Sequence, residues 1–166
     1  PQADELGAVG NRGYTVVAEL DAIQAQGMYF RELGIYYRNQ NNWQKAIEAF
    51  EQSLKLNPFD AFVHNRIAVA YEHVGNNKQA AIHYKLASQM NPKSAAAGNV
   101  KNIDAKVQTE EFNKKMTAAE RLFNKNKFKD AKKAFEEALE TGKGILSEEE
   151  KQLVQDNIKA CEQNMR

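Results

Sequence analysis

Apolar residues recur every three or four positions from about Asp21 to the end of the chain, and short polar stretches interrupt them at regular places. That spacing gathers apolar side chains on one face, so it predicts a succession of amphipathic helices. The interruptions are helix breakers of two kinds. Asn39-Gln40-Asn41-Asn42 and Gly75-Asn76-Asn77 are rich in residues that tolerate a left-handed backbone, whereas Pro58 and Pro92 cannot continue a helix. Further on, Gly142-Lys143-Gly144 precedes Ser147-Glu148-Glu149-Glu150, a capping box with acidic residues on the first turn. Leu153, Val154, Ile158 and Cys161 then form one apolar stripe, which predicts a last amphipathic helix over 148–164. The first twenty residues lack this order, because Gly7, Gly10 and Gly13 interrupt any helical pattern and Tyr14-Thr15-Val16-Val17 is only a short β-branched run. Residues 1–20 are expected to be a flexible tail or, alternatively, a segment lying in a groove of its own or a neighbouring molecule, with Tyr14, Val16, Val17 and Leu20 to bury.

The pattern repeats. Leu33-Gly34, Tyr37, Ala46, Phe50, Ser53 and Asn57-Pro58 return 34 residues later as Ile67-Ala68, Tyr71, Ala80, Tyr84, Ala87 and Asn91-Pro92. Gly34, Ala46, Ala68 and Ala80 are small where two helices approach closely, and Tyr37 and Phe50 fill the space around that contact. Ala131, Phe135 and Ala138 reproduce Ala80, Tyr84 and Ala87 at an offset of 51, one period plus 17. Ala119 and Leu122 stand where Gly34 and Tyr37 stood, and Phe128 where Trp43 stood. The inserted stretch, about Ser94 to Glu111, carries Ala96, Val100, Ile103 and Val107 at helical spacing and has no proline. One reading is a single long helix from Ser94 to about Asn124, lengthened by about 25 Å and overhanging the rest. The other is a separate short helix ending near Gln108, with Thr109 capping the next.

A helix-turn-helix unit of 34 residues, with small residues at fixed places and a closing proline, resembles the tetratricopeptide repeat. Phe30 occupies the place where that family often has tryptophan. The resemblance implies an all-α, right-handed superhelical solenoid of about three repeats, over residues 21–166. Repeat 1 would span about 27–60, repeat 2 61–94, the inserted extension about 95–111 and repeat 3 about 112–145. The helix over 148–164 would cap the last open apolar face.

Composition narrows the function class. Of 166 residues, 42% are hydrophobic and 27% charged, with a formal net charge of +1, enough for one core under a well-solvated surface. No apolar run approaches the roughly 20 residues that span a bilayer, and the first residues lack signal-peptide features. The expectation is a soluble chain, cytoplasmic or exported to a periplasm if an upstream signal preceded Pro1. His64, His73 and His83 fall on different predicted faces without an acidic or cysteine partner at ligand spacing, so no metal or other cofactor is expected. Cys161 is read as a packed thiol, and Glu148 to Glu150 as a helix start. No phosphate loop or nucleophile turn is present, which argues against an enzyme. Lys125, Lys127, Lys129, Lys132 and Lys133 concentrate positive charge, but Glu136, Glu137 and Glu140 follow one turn later, so a solvated face is preferred to a nucleic-acid site.

By the resemblance, the first helices of successive repeats line a concave groove. Its residues would be Met28, Arg31, Ile35, Arg38 and Asn39, then Phe62, Asn65, Val69, Glu72 and His73. Ile35, Phe62 and Val69 would form an apolar strip bordered by polar groups, suited to a peptide of another protein; alternatively the tail or the long helix covers it. The family's chaperone-binding version clamps a terminal carboxylate. Here Ile35 replaces one clamp asparagine, Arg66 takes the place of the second, and Ala96 and Val100 stand where basic residues belong, so that clamp is not expected. The expected role is an adaptor, scaffold or assembly factor. The alternatives are a homo-oligomer joined through the tail, the long helix or the cap, and a weaker nucleic-acid association.

Overall fold

The computed structural model describes the backbone over residues 2–165 and the side chains over residues 18–165. These residues form seven helices and no strand: α1 (Gln2–Asn39), α2 (Trp43–Leu56), α3 (Ala61–His73), α4 (Asn77–Met90), α5 (Ala95–Asn124), α6 (Phe128–Gly142) and α7 (Glu148–Asn164). They gather into two compact units divided after Val100.

The turns show why the chain breaks where it does. Asn41, Gly75 and Asn126 are the three described residues with positive φ, at 57°, 77° and 58°. Each ends a helix in the left-handed conformation that lets the next amide reach back to a carbonyl. Asn42 N–H donates to Tyr37 O at 2.9 Å, Asn76 N–H to Tyr71 O at 2.8 Å and Lys127 N–H to Leu122 O at 3.0 Å. One turn has thus been built three times, with the periods of 34 and 51 seen in the sequence. The other turn type is closed by Asn57 and Asn91, whose extended φ of −136° and −140° suits a residue before proline.

In unit 1, α1 packs on α2, α2 on α3 and α3 on α4. Ala46, Phe50, Ala68, Ala80, Tyr84 and Ala87 are buried, as the repeat requires. Gly34 is needed at the α1 to α2 contact, because a Cβ there would lie 2.5 Å from ring atoms of Phe50. Ser53, also buried, donates from Oγ to Gly27 O at 2.9 Å and ties the same two helices. In unit 2, Ala119, Ala131, Phe135, Val154 and Cys161 form one core across α5, α6 and α7, with Phe112 and Met116 packed against it. The capping box at α7 is formed, Ser147 N donating to Glu150 Oε2 at 2.8 Å and Glu150 N to Ser147 Oγ at 3.2 Å.

The backbone is helical from Gln2, not from about Asp21, so residues 2–20 extend α1 rather than forming a tail. Each glycine costs about 1 kcal/mol relative to alanine in a helix. No proline lies between Gln2 and Asn57, and a helix already nucleated downstream gains a hydrogen bond for each residue added. Tyr14, Val16 and Val17 lie outside the described side chains. The insertion and the helix after it are one continuous α5, in which Thr109 Oγ1 donates back to Ala105 O at 2.9 Å instead of capping a new helix.

Candidate functional site

All ten residues expected in the groove lie in unit 1, five on α1 and five on α3. The start of α3 sets the geometry. Asp60 caps it, Oδ1 accepting from Val63 N at 3.1 Å, and its other oxygen, Oδ2, lies 3.7 Å from Arg31 Nη1 of α1. At the second residue of α3, Phe62 is 38% exposed. Its ring has the guanidinium carbon of Arg31 at 4.6 Å from its centre and that of Arg66 at 4.8 Å. These are cation–π distances, so the ring is held between two cations rather than in a core.

Arg66, on the Phe62 ring, also lies within the field of Arg38. Burial, and then the neighbouring positive charge of Arg38, hold the Arg66 guanidinium below its ordinary pKa. Among the described residues neither Arg38 nor Arg66 has a carboxylate at ion-pair distance; Arg38 donates only to Asn39 Oδ1, at 3.0 Å. Two buried polar atoms nearby lack a hydrogen-bond partner, Asn65 Oδ1 and Arg31 Nε. Glu32 approaches Arg31 Nε at 3.5 Å, close enough to attract but not to bond.

The remaining expected residues are engaged differently. Ile35 packs against the core cluster around Phe50 and Ile67, and Val69 is half-buried. Of the strip Ile35, Phe62 and Val69, only Phe62 is therefore exposed. Glu72 accepts from the Tyr84 hydroxyl at 2.6 Å, and His73 stacks on Trp43 with ring centres 3.7 Å apart. Met28, 62% exposed, belongs to a second feature. Together with Leu20, Ile23 and Leu56 it lines a cleft of about 420 Å³ that Arg31 and Asp60 border.

Sequence reasoning missed Arg66, Asp60, Leu20 and Ile23 as site residues. The signal was the series 20, 23, 27, 28, 31, which follows one helical face once α1 is allowed to start before residue 20. It also kept the histidines apart. His64 and His83 meet between α3 and α4, Nδ1 to Nδ1 at 2.8 Å, with His64 Nε2 2.9 Å from Pro58 O. A carbonyl can only accept, so Nε2 carries the His64 proton and His83 donates to His64 Nδ1.

Residues 28–60, from Met28 on α1 to the cap of α3, match the tetratricopeptide repeat family model. The matched stretch holds the α1 residues of the face, and the α3 residues follow directly after it. Among solved structures the chain is similar to the tetratricopeptide repeat domain of Sgt2 from Aspergillus fumigatus, at 19% identity over 84% of this chain and 78% of that one, with a TM-score of 0.41. The corresponding domain of Arabidopsis OM64 matches at 15% identity over 83% and 98%, with a TM-score of 0.44. The Yersinia enterocolitica type III secretion chaperone SycD, in complex with a peptide of the translocator YopD, matches at 15% over 84% and 94%, with a TM-score of 0.39.

Proposed function

We propose that this protein is a non-catalytic interaction module, an adaptor, scaffold or assembly factor, that holds a peptide segment of another protein on the face of α1 and α3. One observation carries the reading: Phe62 stands exposed between Arg31 and Arg66, beside the partnerless buried oxygen of Asn65. An exposed aromatic and an unsatisfied buried polar group each cost free energy in the isolated chain. A side chain of a bound peptide relieves the first by covering the ring.

Affinity capture from a lysate of the source cells, with the wild type beside a folded Phe62→Asp variant, tests this. Proteins held by the wild type and lost by the variant are the expected result. Equal retention by both would move binding away from α1 and α3 and end the proposal.

A further inference from the structure

We infer that the segment held on this face is acidic and anchored by one bulky apolar side chain, the anchor entering the cleft on the extension of α1 and the side-chain carboxylates meeting Arg38 and Arg66. This rests on the peptide-holding reading above and names its partner by chemistry.

The cleft follows from the length of α1. Gly27 marks the end of the close contact with α2, a Cβ there lying 3.5 Å from Leu56 Cβ at the last residue of α2. Leu20 and Ile23 lie one to two turns further along α1 and are 54% and 44% exposed. They share a helical face with Met28, so the apolar lining runs directly into Arg31 and the cluster around Phe62. A cleft of about 420 Å³ is ample for one aromatic or branched aliphatic side chain.

Charge decides the rest of the occupant. The whole chain carries a net charge of only +1, so the gathering of Arg31, Arg38 and Arg66 is local. Arg31 has Asp60 and Glu32 beside it, whereas among the described residues Arg38 and Arg66, each within the field of the other's charge, have no carboxylate at ion-pair distance. An incoming carboxylate relieves that repulsion and is bound in fork geometry by a guanidinium.

Selection of random peptides, displayed without a free C-terminus, on the immobilised full chain tests this. Peptides rich in Asp and Glu with one Phe, Leu, Ile or Met are expected. Binding of a selected, amidated and fluorescently labelled peptide should weaken about tenfold in Arg38→Glu/Arg66→Glu. It should also weaken from low to high salt. Ile23→Asp, or Ile23→Gln if the first variant fails to fold, should lose the apolar preference and keep the acidic one. Neutral or basic peptides selected on the wild type would overturn the acidic partner while leaving the interaction module standing. Peptides whose binding Phe62→Asp does not alter would overturn the face itself. A dimer in light scattering that Ile23→Asp dissolves would give the cleft to a second copy of the chain and overturn the anchor.

Discussion

Unit 1 and unit 2 use the same packing skeleton and differ nearly everywhere else. Ala46 and Phe50 in the first repeat, Ala80 and Tyr84 in the second, and Ala131 and Phe135 in the third are all buried. The residues of the candidate face do not follow the period. Arg66 corresponds to Glu32 one period earlier and to Thr117 at the offset of 51, and Arg38 corresponds to Glu72 and Phe123. The first helix of unit 2, α5, instead bonds inward, Lys115 Nζ to Thr141 Oγ1 at 2.7 Å and Gln108 Nε2 to Thr141 O at 2.7 Å. The α6 to α7 contact is tied by Lys132 and Glu162 at 2.7 Å. Periodicity therefore marks what fills the space between two helices, and departures from it mark what a unit shows to others.

The comparison breaks most severely at the aromatic centre of each core. Phe50→Ala and Phe135→Ala should each cost about 3–5 kcal/mol, since both rings are buried and leave cavities. Hydrogen exchange is expected to rise in α1 to α4 for the first and in α6 and α7 for the second. Equal acceleration everywhere in both variants would mean that the two units open as one body.

Acid should separate the units next. All three histidines, His64, His73 and His83, are in unit 1. Burial, and then the neighbouring His64, push His83 down to about 4, with Glu51 acting the other way. Tyr71, stacked on His83 at 5.6 Å, donates to Glu51 at 2.6 Å, and burial together with that bond pushes its hydroxyl up to about 12. Unfolded, a histidine takes its proton near pH 6.5. Between about 6.5 and 4 the unfolded chain therefore binds more protons, so stability present above this window is lost as the pH falls through it. Discounting for partial exposure, the loss should be about 1–2 kcal/mol. Denaturant midpoints at the two ends of the window should show it in the wild type and show less of it in His83→Gln. An unchanged wild-type midpoint would remove the histidine pair as a stability term.

These features were unevenly legible in the sequence. The helix pairs could be read because Gly34, Ala68 and Ala119 recur with the aromatics, and steric contact leaves few alternatives at such positions. The last helix could be placed at 148–164 because a capping box is a local bond pattern. The candidate face was named by resemblance alone: which residues meet there depends on contacts between α1 and α3, such as Arg31 over Phe62, which no spacing within one helix shows. His64 and His83 met unforeseen for the same reason, being 19 residues apart on two helices. The extension of α1 is hidden by Gly7, Gly10 and Gly13, which disfavour a helix on their own but not the lengthening of one already formed after them.

The smallest effect sharpens the comparison most finely. Asn42, Asn76 and Lys127 precede the second helix of each repeat with nearly one backbone, φ of −88°, −92° and −88° and ψ of 75°, 68° and 61°. Asn42 Oδ1 accepts from Lys45 N at 3.2 Å and Asn76 Oδ1 from Gln79 N at 3.3 Å, whereas Lys127 makes no side-chain cap bond. Since the backbone is already in place, Lys127→Asn needs only to add the missing acceptor and should stabilise unit 2 by about 0.5–1 kcal/mol. The same change removes a cation between Lys125 and Lys129, so Lys127→Gln is the control for charge. A higher melting temperature for Lys127→Asn than for Lys127→Gln assigns the gain to the cap. Equal temperatures would show that the third turn, for all its matching angles, does not present its amides as the first two do.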